Sequence, residues 1–184
     1  KSYDYVIQAL SGMASLQADP ATGEPSLVRN IVVDKATAYT VAQAVTAALL
    51  ARERGAGGQH VRIAMIDVAL AFLWPDGMMQ HTLLGDGVTE GAHLADNYMV
   101  RATKDGHIAS MAISDRQFPL LCRALGTERW LDDPRFATMA EREKHMDALS
   151  PLIDEEFARY TTHELVDRLH AEDVPCAATT PVAD

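Results

Sequence analysis

The stretch "NIVVDKATAYTVAQAVTAALLARERG" (residues 30–55) indicates the fold class of this chain. Three apolar residues precede Asp34, and an alanine-rich run follows whose apolar side chains wrap most of the way around a helix. We therefore predict a short buried strand over 27–33 and an enclosed helix over 35–53, which "GAGG" at 55–58 ends.

Asp34 admits two interpretations. Asp is among the best N-cap residues, so its carboxylate can simply cap the helix. Alternatively, the N–H groups and positive potential of a helix N-terminus keep a carboxylate ionised, and an ionised Asp can act as a covalent nucleophile. The C-terminal end of a strand is also where open α/β sheets bind their ligands. The residues alone leave both interpretations open.

The order of predicted elements extends this pattern along the chain. "QHVRIAMI" (59–66) suits a second strand and "DVALAFLWPDGMMQHTLL" (67–84) a second helix, interrupted at Pro75. Strand, helix, strand and helix in succession predict an α/β fold. A polar, glycine-rich stretch at 85–96 is the candidate boundary.

We place the first domain at 1–88 and the second at 89–184. In the second, "NYMVRATKDGHIASMAIS" (97–114) predicts a β-hairpin and "PCAATTPV" (175–182) a closing strand. Thr161 and Glu164 predict a capping box at the start of a helix that lies between the hairpin and the closing strand. This domain is therefore expected to be α+β.

Composition excludes several classes of function. A net charge of -10 with scattered basic residues argues against a nucleic-acid partner. No apolar run reaches the length that spans a bilayer, and no HExxH or Cys-x-x-Cys pattern predicts a metal site. Two cysteines, Cys122 and Cys176, predict free thiols in a reducing compartment, so we expect a cytoplasmic protein. The start lacks Met and a signal peptide, so we expect the chain to begin inside a longer protein.

Three motifs resemble the family III CoA-transferases, the group of formyl-CoA and carnitine CoA-transferases. They are "YDYVIQALSGMASL" (3–16), "VVDKATAY" (32–39) and "ALLARERGAGGQHVRIAMIDVALAFLW" (48–74). The matching positions are Tyr3, Asp4, Gln8, Ala9, Ser11, Gly12, Asp34, Arg52, Gly58, Gln59, Val61, Met65 and Asp67. The resemblance implies part of a Rossmann-like large domain followed by a small α+β domain.

The resemblance also implies the chemistry. Asp34 would be the nucleophile that attacks an acyl-CoA thioester, and an incoming carboxylic acid would recover the CoA through a covalent aspartyl intermediate. Lys1, Ser2, Tyr3 and Asp4 match the segment that contacts CoA. Coenzyme A would be a substrate, with no permanently bound cofactor, and the complete protein would be an interlocked homodimer.

Departures from the family pattern leave two alternatives. The glycine-rich flap of the formyl-CoA type is not reproduced by "TEGAHLAD" (89–96), and family members are about twice as long, so the chain resembles a central fragment. A 2-methylacyl-CoA racemase shares the fold, but its catalytic His position is Tyr3 here, and racemisation needs two acid–base groups. The other alternative is a non-catalytic fragment of such an enzyme.

Overall fold

The computed structural model describes residues 3–88, 93–112 and 114–183. It divides into two compact units, Lys1–Asn97 and Tyr98–Asp184. The chain mixes helices with a small antiparallel sheet, in keeping with the predicted α and β content. The boundary between the units lies between Asn97 and Tyr98, later in the chain than the boundary predicted at 88/89. The assignment of 1–88 to a CoA-binding domain stays a prediction.

The described part of the first unit is helical. Its α-helices are α1 (Asp4–Leu10), α2 (Met13–Leu16), α3 (Val32–Ala51) and α4 (Met65–Leu73). Short π-helical turns follow α3 and α4 at Arg52–Ala56 and Trp74–Met78, and 3-10 turns cover Met79–His81 and Leu94–Asn97. One small core joins the four α-helices and consists of Ile7, Met13, Val33, Ala69 and Leu73.

The strand predicted over 27–33 is wrong. Leu27 and Ile31 are 42% and 56% exposed, so the segment is not buried. The backbone of Val28 and Asn30 bonds to the side chain of Gln8, which takes the place of a neighbouring strand. The next residues already belong to α3, because the helix begins at Val32.

The strand predicted over 59–66 and the burial predicted for the helix over 35–53 are also wrong in the described chain. Residues 59–64 are irregular until Met65 begins α4. Alternation marks a segment that can be a strand, but a ladder needs a partner strand, and residues 3–88 contain none. Only Val33 is buried in α3, while Val45 and Leu49 are each 46% exposed, so this helix is not enclosed.

The second unit carries a three-stranded antiparallel sheet in the order β1-β2-β3. Its strands are β1 (Arg101–Ala102), β2 (His107–Ser110) and β3 (Cys176–Ala178), and Ile108 lies opposite Ala178. Both the predicted hairpin and the predicted closing strand are confirmed.

The described second unit also contains four α-helices, two of which contact the sheet. They are α5 (Phe118–Leu125), α6 (Met139–Lys144), α7 (Met146–Phe157) and α8 (Thr162–Ala171), with 3-10 turns at Glu128–Asp132 and Pro134–Phe136. The predicted capping box of Thr161 and Glu164 opens α8. Ile108, Cys122, Phe157, Leu165 and Leu169 are fully buried at the centre of a single apolar core.

The hairpin turn is fastened to the start of α8 by Asp105. Its Oδ1 accepts the backbone N–H of Thr162 at 2.7 Å and the Thr162 hydroxyl at 2.9 Å. These two hydrogen bonds hold the pKa of Asp105 below its ordinary value of 3.8. A carboxyl whose pKa is lowered by folding stabilises the fold above its unfolded pKa, and that contribution is lost as the pH falls through the folded pKa.

Replacing Asp105 by Asn is expected to lower the melting temperature at pH 7 but to have little effect in acid. The reason is that the wild-type carboxyl is itself protonated below both pKa values. Circular dichroism melts of both proteins from about pH 7 to pH 2 would show the two curves converging. A gap that stays constant over this range would contradict the ionic role of Asp105.

Candidate active site

Asp34 lies in the first turn of α3 and presents an exposed side chain. It is the third residue of the helix and not its N-cap, because Ile31 occupies the cap position. Within the described chain, its carboxylate makes no hydrogen bond and no ion pair. The side chain is therefore free to meet a reactant, and the first-turn N–H groups lack acceptors within the helix.

The N-terminus of α3 is capped by a distant carboxylate. Ile31 has no side chain that can accept a hydrogen bond, so the helix has no local cap. Instead the backbone N–H of Asp34 donates to Oδ2 of Asp4 at 2.9 Å. Asp4 begins α1 and is only 5% exposed, so the bond joins two helices inside the first unit.

Gln8 holds this cap and the preceding loop together. It is 1% exposed, and its Nε2 donates to Asp4 Oδ1 at 2.5 Å. The same amide nitrogen lies 3.3 Å from the carbonyl of Val28 and 3.1 Å from that of Asn30, and Oε1 accepts the N–H of Val28 at 2.9 Å. One buried amide therefore fixes the loop that leads into α3.

A cleft of about 500 Å³ opens beside this network. Its lining residues come from α1, from the loop that leads into α3 and from the first turn of α3: Asp4, Tyr5, Gln8, Val28, Arg29, Asn30, Ile31 and Lys35. The Lys35 ammonium donates to Asn30 Oδ1 at 2.8 Å, and Arg29 makes no ion pair with any described residue. Two cations thus lie close to the first turn of α3, on the same side of the fold as the cap.

The residues that the resemblance assigns to CoA differ in their placement. Tyr3 is 65% exposed and its ring stacks on Tyr5, with centroids 6.1 Å apart. Asp4 is buried and bound on both oxygens. Lys1 and Ser2 lie outside the described residues. Their contact with CoA, and the nucleophilic role of Asp34, stay predictions.

Sequence reasoning did not find the role of Gln8. It counted Gln8 as a motif match and gave it no function, although Asp4 and Gln8 lie four residues apart and so share one face of a helix. The four-residue spacing is the feature of the sequence that could have predicted a contact between Asp4 and Gln8. The two acceptors on the loop could not be foreseen, since they lie 20 and 22 residues further along the chain.

The cysteines do not provide a second candidate nucleophile. Both cysteines are free thiols, and burial raises the pKa of Cys122 to about 11, which leaves it protonated at neutral pH. Over the ranges that the structure describes, no three His, Cys, Asp or Glu side chains gather closely enough to bind a metal ion. Nor do those ranges contain a helix with the length and apolarity to cross a membrane.

Comparison with known proteins gives a consistent result. The model of CoA-transferase family III matches residues 1–184. The succinate–glutarate CoA-transferase of Agrobacterium fabrum is 29% identical over 99% of this chain and 46% of its own length. The acetyl-CoA:oxalate CoA-transferase of Acetobacter aceti is 27% identical over 100% of this chain and 48% of its own.

Solved structures agree with this. A crystal structure of Rv3272 from Mycobacterium tuberculosis superposes with a TM-score of 0.83 at 27% identity, covering 99% of this chain and 48% of that one. A CAIB/BAIF family protein from Brucella suis gives 0.72 at 28% identity, over 99% and 48% of the two chains. The chain spans about half the length of the curated relatives it matches.

Proposed function

The chain belongs to CoA-transferase family III, as its motifs predict, and from this we propose that it transfers coenzyme A from an acyl-CoA to a carboxylic acid through Asp34. One observation supports this most directly. The Asp34 carboxylate is exposed and unpaired in the described chain, yet its backbone is fixed by a buried hydrogen-bond network. A nucleophile needs both freedom to react and a fixed position.

Each proposed step conserves atoms and charge. A carboxylate oxygen of Asp34 attacks the thioester carbonyl carbon and the C–S bond breaks, which expels CoA as a thiolate and leaves a mixed anhydride between the donor acid and Asp34. The thiolate then attacks the Asp34 carbonyl carbon, which releases the donor acid and leaves a thioester on Asp34. The acceptor carboxylate attacks that thioester to form a second anhydride, and the thiolate takes the acceptor acyl group and frees Asp34.

The surroundings of Asp34 support this chemistry. Unpaired N–H groups in the first turn of α3 can stabilise the oxyanions that develop at each attack. Lys35 is the next residue and Arg29 lines the adjoining cleft, so cations are available for the carboxylate of a donor or acceptor acid. No metal or resident cofactor is needed, because every bond exchanged lies between the acids, the thiol and Asp34.

The names of the relatives suggest which substrates to test. They specify succinate, glutarate and oxalate as acids, so we propose that this protein also acts on small carboxylic acids as their CoA esters. We further propose that the complete protein works as a homodimer in the cytoplasm, without nucleic-acid or membrane partners, following the resemblance.

Trapping the intermediate tests the proposal. The complete protein is incubated with succinyl-CoA and glutarate, or acetyl-CoA and oxalate, and then treated with hydroxylamine. We expect a hydroxamate on Asp34 by mass spectrometry, because hydroxylamine attacks an aspartyl thioester or anhydride. A hydroxamate at another residue would refute the role of Asp34.

Incubation of the complete protein in D₂O with 2-methylbutanoyl-CoA, alongside the same donor and acceptor pairs, addresses the racemase alternative. Deuterium incorporated at the α-carbon of 2-methylbutanoyl-CoA without transfer of CoA would identify a racemase. Absence of both reactions over a wide panel of acids would favour a non-catalytic protein. Exchange of CoA between acids, without deuterium at the α-carbon, is the result that we expect.

A further inference from the structure

We infer that Asp4 is a positioning residue that fixes the nucleophile and does not contact CoA. This inference rests on the proposed role of Asp34. Its basis is a single hydrogen bond, from the backbone N–H of Asp34 to Asp4 Oδ2 at 2.9 Å across 30 residues of chain. The donor nitrogen is bonded to the Cα that carries the nucleophilic side chain, so displacing the acceptor displaces the nucleophile.

Burial and charge argue against the role that the resemblance gives to Asp4. The residue is 5% exposed, and its two oxygens already bind Gln8 and Asp34. CoA carries phosphates, and a carboxylate beside them would repel them. Asp4 therefore acts on the reaction through the peptide of Asp34 rather than through the substrate.

The chemistry of the neighbours explains why residue 4 is an aspartate. The N–H of Val28 donates to Gln8 Oε1, which fixes the orientation of the amide and turns Nε2 toward Asp4. The other neighbour is the N–H of Asp34. Residue 4 thus faces two donors and must accept with both oxygens, which an ionised carboxylate does and a side-chain amide cannot.

Replacing Asp4 by Asn in the complete protein tests this directly. An asparagine keeps the shape but points its own NH₂ at one of the two donors, so the cap loosens. We expect kcat for CoA transfer to fall by about 10-fold or more with KM little changed, because a small displacement of a reacting group affects chemistry more than binding. The Asp34 amide should also exchange with D₂O about 10-fold faster.

Asp105→Asn is the matched control. It alters another carboxylate that caps a helix from a distance, through the N–H of Thr162, but in the second unit. We expect it to lower the melting temperature while leaving kcat unchanged. Equal losses of kcat in the two variants would show that Asp4 contributes only to folding, and would overturn the inference.

A second variant and a wild-type measurement cover the case in which Asp4→Asn does not fold. Gln8→Met removes the amide that orients Asp4, and we expect a smaller loss of kcat together with faster exchange at Asp34. In the wild type, the Asp34 amide should exchange more slowly than the amide of Val32, for which the described residues provide no such acceptor. Fast exchange at Asp34 in the wild type would refute the cap itself.

These results separate the inference from the proposed function. If Asp34→Ala abolishes transfer while Asp4→Asn has wild-type kcat, the function stands and the inference fails. If Asp34→Ala retains transfer, the proposed function fails, and the exchange rates still report whether Asp4 caps α3.

Discussion

Replacing Asp34 by Ala in the complete protein is expected to abolish CoA transfer, with kcat lower by about 10⁴-fold or more. The loss should be this large because no covalent intermediate can form without the carboxylate, and the acceptor acid attacks a thioester poorly without it. Steady-state assays with succinyl-CoA and glutarate, and with acetyl-CoA and oxalate, measure the effect. The hydroxylamine adduct should disappear in the same variant.

Asp67→Ala provides a closely matched control for this experiment. Asp67 is exposed and is the third residue of α4, the position that Asp34 has in α3. Each substitution removes one carboxylate from the N-terminal turn of a helix, where the helix dipole favours a negative charge. The effects of the two substitutions on folding should therefore be similar. Only Asp34→Ala should remove activity. Residual transfer above about a tenth of the wild-type rate would place the nucleophile elsewhere.

Replacing Arg142 by Met is expected to cause the largest loss of stability, about 3 kcal/mol in the free energy of unfolding of the second unit. Arg142 is 2% exposed. It donates to the carbonyl of Phe136 at 2.8 Å and to Asp115 Oδ1 at 2.6 Å, and its guanidinium lies 4.5 Å from the ring centroid of Phe118. Methionine fills much of the volume but leaves the buried carbonyl without this donor.

Urea denaturation of the complete protein, followed by tryptophan fluorescence, measures this effect, because Trp130 belongs to the same core. Arg135→Met is the control. Arg135 also lies against Phe136 and pairs with Asp133, but half of its side chain is exposed. Exposed ion pairs contribute little, so its urea midpoint should hardly move. Equal shifts in the two variants would contradict the role assigned to the buried guanidinium.

Local rules predicted the second unit well. The hairpin follows from alternation around a Lys104-Asp105-Gly106 turn, and the start of α8 follows from the capping box of Thr161 and Glu164. In both cases the deciding contacts join residues that are a few positions apart. A short stretch of sequence therefore contains the residues whose contacts form the hairpin turn and the start of α8.

The two strands wrongly predicted in the first unit have one cause. Whether 27–33 and 59–66 form strands depends on a partner strand, and no local pattern says whether one exists. In this structure the backbone of Val28 and Asn30 bonds to Gln8 instead, and α3 begins early enough to include Val33. The same uncertainty made an N-cap one of the two interpretations of Asp34, because the start of the helix was inferred from the end of a strand that is absent.

The amino-acid sequence by itself determined the family, the alanine-rich helix and the acidic residue at its start, because motif spacing and helical periodicity are properties of neighbouring residues. Only the tertiary structure decided how that acidic residue is held. The carboxylate that caps α3 and the amide that orients it come from α1, which reaches the start of α3 only when the chain folds. A helix cap supplied from 30 residues away depends on packing in space, and local sequence carries no signal for it.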